Sequence, residues 1–217
     1  LKEGLMISFY YDLIKRKLPL ELYNRKPILT TKVLENLHND ANGILEKVVI
    51  DELNNRGFIG RRNIKSRTLK SSDGIKIDIP SDVGEIDVLC LHPGNRVLII
   101  GECKNVSFSP EPIHWYEDLQ DFGVIESKPD SYKSKFLRKI NWCLNNANLL
   151  IKAILKENSI HDYFAEWIVL PLFITTFESV AVNFIEDFPC SSLPRFLSEY
   201  DANGLQTYDQ WKRNINI

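Results

Sequence analysis

Apolar and polar positions change period several times along the chain, and each period predicts a different element. Over residues 44–56, Leu45, Val48, Val49 and Leu53 recur at helical spacing, after the cap and breaker run Asn39-Asp40-Ala41-Asn42-Gly43 and before Gly57, which predicts a helix with one apolar stripe. Glu46, Ile50 and Leu53 share an adjoining face, so Glu46 sits at the border of that stripe. Beyond it the period shortens to two. A strand is predicted from Phe58, and a hairpin around Ser72-Asp73-Gly74 leads into Ile75-Lys76-Ile77-Asp78-Ile79. A second hairpin joins Gly84-Glu85-Ile86-Asp87-Val88-Leu89-Cys90-Leu91 through His92-Pro93-Gly94-Asn95 to residues 96–105, where Val97 to Ile100 is a continuous apolar run suited to a sheet buried on both faces.

Pro110 and Pro112 mark a loop, and residues 115–122 read as a short helix. Residues 131–157 read as one long helix, with Phe136, Ile140, Leu144, Ala147, Ile151 and Ile154 or Leu155 on one face. Residues 167–175 and 180–185 read as closing strands, and 193–200 as a short helix behind Ser191 or Ser192. At the other end, residues 1–40 read as a helical appendage or interface segment, with an apolar, aromatic run from Leu5 to Lys17 and punctuation at Pro19 and Pro27. The expected organisation is this appendage followed by one domain over 41–217. Its expected fold class is α/β, a central mixed β-sheet flanked by helices.

Strand parity turns the second hairpin into a candidate site. Side chains alternate across a strand, so Glu102 and Lys104 share a face about 7 Å apart while Cys103 points the other way. With an even-numbered loop, Leu91 is expected to pair with Arg96 and Asp87 to lie opposite Ile100, on the face of Glu102. A slip by one residue would separate the acids. Glu-x-Lys on a strand is common by chance, and an aspartate on its neighbour is ordinarily solvated or paired. Inside strands this apolar, however, charge is costly unless it is paired or bound to a cation. Two carboxylates and an ammonium on one face also form the set that metal-assisted phosphodiester hydrolysis needs. Carboxylate oxygens hold a hard cation that keeps several waters, and the cation polarises phosphoryl oxygens and activates a bound water.

At these residues the chain resembles the PD-(D/E)xK nuclease superfamily, the group of type II restriction enzymes, archaeal Holliday-junction resolvases, Mrr-like enzymes and NERD domains. The resemblance covers roughly Leu45 to Lys104 and includes Glu46, Leu53 and Gly57-Phe58, which look like the first helix of the resolvase and Mrr-like members. It departs from the pattern at Ile86, where proline would precede Asp87. The resemblance implies a restriction-endonuclease-like fold in which Asp87 and Glu102 bind Mg²⁺ or Mn²⁺, with the Cys103 backbone carbonyl as a further oxygen ligand. Lys104 would orient or activate the attacking water, or stabilise charge on the phosphate, and Glu46 would complete the shell directly or through a water. Gln120 resembles the glutamine that follows the lysine strand in some members. The implied activity is metal-dependent endonucleolytic hydrolysis of DNA, in defence or restriction or in DNA repair. Two other readings stay open: a nucleic-acid-binding or assembly module that keeps the fold without the chemistry, and an RNA endonuclease.

Composition narrows the setting. The 217 residues are 44% hydrophobic and 26% charged, ordinary for a globular protein. They contain neither an apolar run of about 18 residues nor a basic-then-apolar leader, so a membrane partner is not expected and a cytoplasmic, intracellular location is. The chain opens on Leu1, from which a processed protein or a domain of a longer polypeptide is expected, and a homodimer is the other assembly left open. The cysteines Cys90, Cys103, Cys143 and Cys190 are widely spaced in apolar surroundings and are expected to be reduced core thiols. Net charge is −2, which favours no polyanion as a whole. Basic residues do cluster, however. Arg56, Arg61, Arg62, Lys65, Arg67 and Lys70 fall in a run without acids just before the hairpin, and Lys128, Lys133, Lys135, Arg138 and Lys139 form a second group. Arg61, Arg62, Lys65, Arg67, Lys133 and Lys135 are the expected phosphate contacts for DNA, with RNA open. His38, His92, His114 and His161 are scattered, and no nucleophile elbow or glycine-rich phosphate loop is present.

Overall fold

Every residue from Ile86 to Leu91 and from Val97 to Cys103 is buried, irrespective of which way its side chain points. Strands with both faces covered can only lie inside a layered structure. The computed structural model describes residues 43–71, 73–106, 112–126, 128–161 and 166–216. The chain divides into two compact units, Leu1–Leu45 and Glu46–Ile217, and the second contains the whole sheet. The expected appendage over residues 1–40 lies outside the described residues.

A helix, α1 (residues 43–55), ends at Gly57 in the left-handed conformation, φ 85°, which glycine adopts without strain. Then come β1 (Ile59–Ile64), β2 (Ile86–His92), β3 (Val97–Lys104), α2 (Pro112–Phe122), α3 (Tyr132–Asn145), α4 (Ala147–Glu157), β4 (Glu166–Thr175), a 3₁₀ turn at Val180–Phe184, β5 (Cys190–Ser192), α5 (Leu193–Asn203), a second 3₁₀ turn at Gln206–Trp211, and β6 (Arg213–Asn216). The six strands form one mixed sheet in the order β1-β2-β3-β4-β5, with β6 also on β4. Antiparallel pairing joins β1 to β2 and β2 to β3, while β3, β4 and β5 run parallel. A parallel pair needs a crossover, and α2, α3 and α4 supply it between β3 and β4. The fold is therefore α/β, a mixed sheet flanked by helices, as the sequence predicts. No helix among the described residues is long and apolar enough to cross a membrane.

The β2–β3 register differs from the expected one. His92 pairs with Val97 and Leu91 with Leu98, so Arg96 belongs to the turn and not to the strand. Arg96 has φ 53°, its N–H reaches the Pro93 carbonyl at 3.2 Å, and His92 Nδ1 accepts from the Asn95 N–H at 3.0 Å. The shift is by two residues, which preserves every face. Continued past Val88–Gly101, it sets Asp87 directly opposite Glu102. On their face of the sheet, Leu89, Leu91, Leu98, Ile100, Val169 and Phe173 join one buried cluster with Phe136, Ile140, Leu150, Ile151 and Ile154 of α3 and α4. Phe136 stands edge-on to Phe173 and Phe188, with centroids 5.6 and 4.8 Å away.

Three predicted elements are corrected. The long helix over 131–157 is two helices, because Asn146 leaves helical geometry (φ −115°, ψ 12°) and donates from its side chain to the Trp142 carbonyl at 2.8 Å. In place of the strand expected over 180–185, Val180–Phe184 form a 3₁₀ turn, started by Ser179, whose side chain accepts from the Ala181 N–H at 3.2 Å. Around Gly74 the chain reverses as expected, but residues 75–79 make a single bridge, Lys70 to Lys76, and no strand; Arg67 breaks the ladder with φ 66°. Ser72 lies outside the described residues. All four cysteines are free, as expected.

Two glycines let the neighbours of β2 close on it. A Cβ at Gly60 would lie 2.2 Å from the Leu89 carbonyl oxygen, and one at Gly101 would lie 2.8 Å from Val88 Cβ. Gly74, with φ 83°, has nothing within 4 Å of its Cβ position. Gly60→Ala is therefore expected to cost ~3 kcal/mol or more by overpacking against backbone, and Gly74→Ala about 1 kcal/mol through its backbone conformation alone. Urea denaturation of the two variants measures the contrast; equal losses would contradict it.

Candidate active site

The site lies where the β2–β3 ladder stops. Beyond Val88 and Gly101 the strands exchange no further ladder pair, and the Asp87 side chain takes the next backbone donor itself: Oδ2 accepts from the Cys103 N–H at 2.8 Å. This bond fixes the carboxylate beside Glu102. Asp87 is 8% exposed and Glu102 2%, so their charges require local compensation.

Two lysines provide it. Lys104, two residues beyond Glu102 on the same face, places Nζ 3.0 Å from Glu102 Oε1 and 5.4 Å from the centroid of the Tyr132 ring. Lys139 comes from α3. Its Nζ donates to Glu102 Oε2 and lies 3.5 Å from Asp87 Oδ1, so one ammonium bridges both acids. Lys139 is itself only 8% exposed. It sits in the buried stripe of α3 with Phe136, Ile140 and Cys143.

The electrostatics derive from burial and proximity. Asp87 has its pKa raised, first by burial and then by the charge of Glu102, against the opposing pull of Lys139, Lys104 and the Cys103 N–H. Burial alone would lower both lysines, but the negative charges of Glu102 and Asp87 outweigh it and hold both ammoniums above their ordinary range. Both are charged at neutral pH. Burial pushes the Cys103 thiol well up, so it stays protonated.

Asp87, Glu102 and Lys104 thus converge as strand parity predicts, while Glu46 makes no ion pair with that trio but stands close enough for the charges of Asp87 and Lys104 to act on it. Glu46 Oε2 is 3.9 Å from the Arg62 guanidinium and is a buried oxygen without a hydrogen bond. Arg62 pairs with Val88 and so projects from the face opposite Asp87. Among the described residues, no three His, Cys, Asp or Glu side chains are grouped to hold a metal. Gln120 stays on α2, where it donates to the Tyr116 hydroxyl at 3.2 Å.

The expected phosphate contacts are largely engaged with acids. Arg61 pairs with Glu157, Lys65 with Glu85 at 3.6 Å, Arg67 with Asp78 at 3.1 Å and Lys133 with Asp187 at 2.5 Å; Lys135 is exposed. Exposed pairs of this kind are weak and exchangeable, so they neither hold the fold nor bar a phosphate. Lys139 is the residue that the charge pattern of the sequence misplaces, in a basic surface cluster. The signal that could have found it is its position, three residues after Phe136 and four before Cys143, inside an apolar stripe.

The chain matches no protein-family profile, no curated protein and no solved structure.

Glu46 gives the site's surroundings a pH signature. Its pKa is raised from 4.5 to about 7, by burial first, then by the charges of Asp87 and Glu85, with Arg62 and Lys104 opposing. A carboxyl whose folded pKa lies above its unfolded one stabilises fully below the unfolded value, and that stability is lost as pH rises through the folded value. Stability should therefore fall between pH 4.5 and about 7. Glu46→Gln, which cannot ionise, is expected to lose this part of the decline and to exceed the wild type in stability at alkaline pH, while Asp87 contributes a decline of the same sign to both proteins. Denaturation midpoints across that range check it; superimposable profiles would refute it.

Proposed function

We propose that the chain is a metal-dependent endonuclease acting on DNA, with the β2–β3 carboxylates as its catalytic centre. The observation that carries this reading is the placement of Asp87 and Glu102 on one face, at the end of their ladder, with the Lys104 ammonium 3.0 Å from Glu102. The donor set fits a hard divalent ion. It consists of carboxylate oxygens, and a cationic group already lies against Asp87 Oδ1 and Glu102 Oε2, so the space between them accepts positive charge. Asp87 and Glu102 would hold Mg²⁺ or Mn²⁺. The Cys103 carbonyl would be available as a third oxygen, since the N–H and C=O of one strand residue leave on the same side and this N–H faces Asp87. When bound, the ion supplies Lewis-acid polarisation of a phosphoryl oxygen and an acidified water.

The chain's own groups do the remainder. The Cys103 N–H holds Asp87 in one orientation, which presents Oδ1 to the site. Tyr132 steadies Lys104, whose ammonium donates to the water or to the charge that grows on the phosphate. Lys135 and the exposed arginines of β1 would position the strand through its phosphates, without reading sequence. Defence or restriction and DNA repair are the contexts this chemistry serves.

A second reading has an observation of its own. Two carboxylates face two ammoniums, so the charges balance without any ion, as in a structural network. On that reading the chain is a nucleic-acid-binding or assembly module that keeps the fold without the reaction.

Plasmid, linear DNA and RNA incubated with and without Mg²⁺ separate these readings. Asp87→Asn and Glu102→Gln are each expected to lower Mg²⁺-dependent cleavage by ~10³-fold or more with the circular dichroism spectrum retained, and Lys104→Ala by ~10²-fold. Cleavage confined to RNA would make the chain a ribonuclease. Activity within a few-fold of wild type in both carboxylate variants would remove the catalytic assignment.

A further inference from the structure

The buried ammonium of Lys139 is not explained by the chemistry assigned to Asp87, Glu102 and Lys104. Lys104 touches one oxygen of one carboxylate from the exposed side. Lys139 bridges the two carboxylates, reaching Glu102 Oε2 and Asp87 Oδ1 from inside the protein. Those two oxygens share the one ammonium. A Mg²⁺ ion on them would sit ~2.0 to 2.2 Å from each, in the volume the ammonium fills. Two cations cannot share that volume, because their mutual repulsion at such range has no screening in a site this dry.

We propose that Lys139 is a built-in competitor for the metal seat: its ammonium must swing away before a divalent ion can bind Asp87 and Glu102, so it sets the metal affinity of the protein. The inference rests on the metal-dependent reading above. The movement needed is local. Only the end of the side chain has to rotate, since the stem stays in the stripe with Phe136, Ile140 and Cys143. The departing ammonium becomes available to an anion, which links metal entry to the arrival of a phosphate. Lys104 is beside the seat and not in it, so it makes no such competition.

Two measurements on the full chain test this. In calorimetric titration with Mn²⁺, Lys139→Met, which keeps the stem and removes the charge, is expected to bind at least about tenfold more tightly than wild type, with Lys139→Gln shifted in the same direction. In the wild type, amine acetylation read by mass spectrometry should modify Lys139 slowly without Mn²⁺ and several-fold faster with it. This second measurement needs no variant to fold. Mn²⁺ binding to the wild type with unchanged Lys139 labelling, or with unchanged or weaker affinity in the folded variants, overturns the competition and leaves the catalytic reading standing. Absence of Mn²⁺ binding in wild type and variants alike overturns both.

Discussion

Charge buried at the end of two apolar strands is the condition around which this structure is arranged. β2 and β3 are covered on both faces, and at their shared end they present Asp87 and Glu102 side by side. Two carboxylates at such depth repel each other and forgo water, a cost of several kcal/mol per ion if nothing answers it. The answer comes from three directions: a backbone N–H of β3, a lysine on the same strand, and a lysine from α3. That last contact joins helix to sheet by charge as well as by packing. Removing any one partner would leave a buried charge uncompensated, so the geometry of the site and the docking of α3 depend on each other.

The strands are legible in the sequence because their physics is local. Apolar, β-branched runs mark β2 and β3, the Pro-Gly turn places their hairpin, and β1 is marked by its start just after Gly57. Even the difference in register is harmless to the site, since it comes in a step of two and side chains repeat with that period. The ends of the elements are not legible in the same way. The break at Asn146 depends on a side-chain bond to its own helix, and the turn after Ser179 on a serine cap, neither of which disturbs the apolar pattern. β5 and β6 are short strands whose pairing is fixed by β4, far away in sequence, and they carry almost no pattern of their own.

The same division applies to the site. Asp87, Glu102 and Lys104 lie within one hairpin, where parity decides who shares a face. Glu46 and Lys139 come from helices, and no parity argument connects a helix to a strand. Glu46 is the border residue that its helix pattern predicts, and its carboxyl lies 3.9 Å from the Arg62 guanidinium while still feeling the charge of Asp87. For Lys139, charge and basic neighbours point to the surface. Its position in the α3 stripe carries the information instead, because a lysine among phenylalanine, isoleucine and cysteine on one buried face must find an acid within the protein.

The outer edge of β4 has a consequence for how the sheet is assembled. Along that edge β6 pairs with Glu166–Val169 in one direction and β5 with Phe173–Thr175 in the other. Pro171, which has no N–H to offer, lies in the gap between them. The first three strands can form as successive neighbours while the chain is still being made. β4 must then hold a half-finished edge until two separate later segments arrive, and the second of them comes after α5 and a further turn. Long-range closures of this kind are slow and leave a strand open to foreign pairing in the meantime. The proline divides that edge into two short pieces, each poor bait for another copy of the chain.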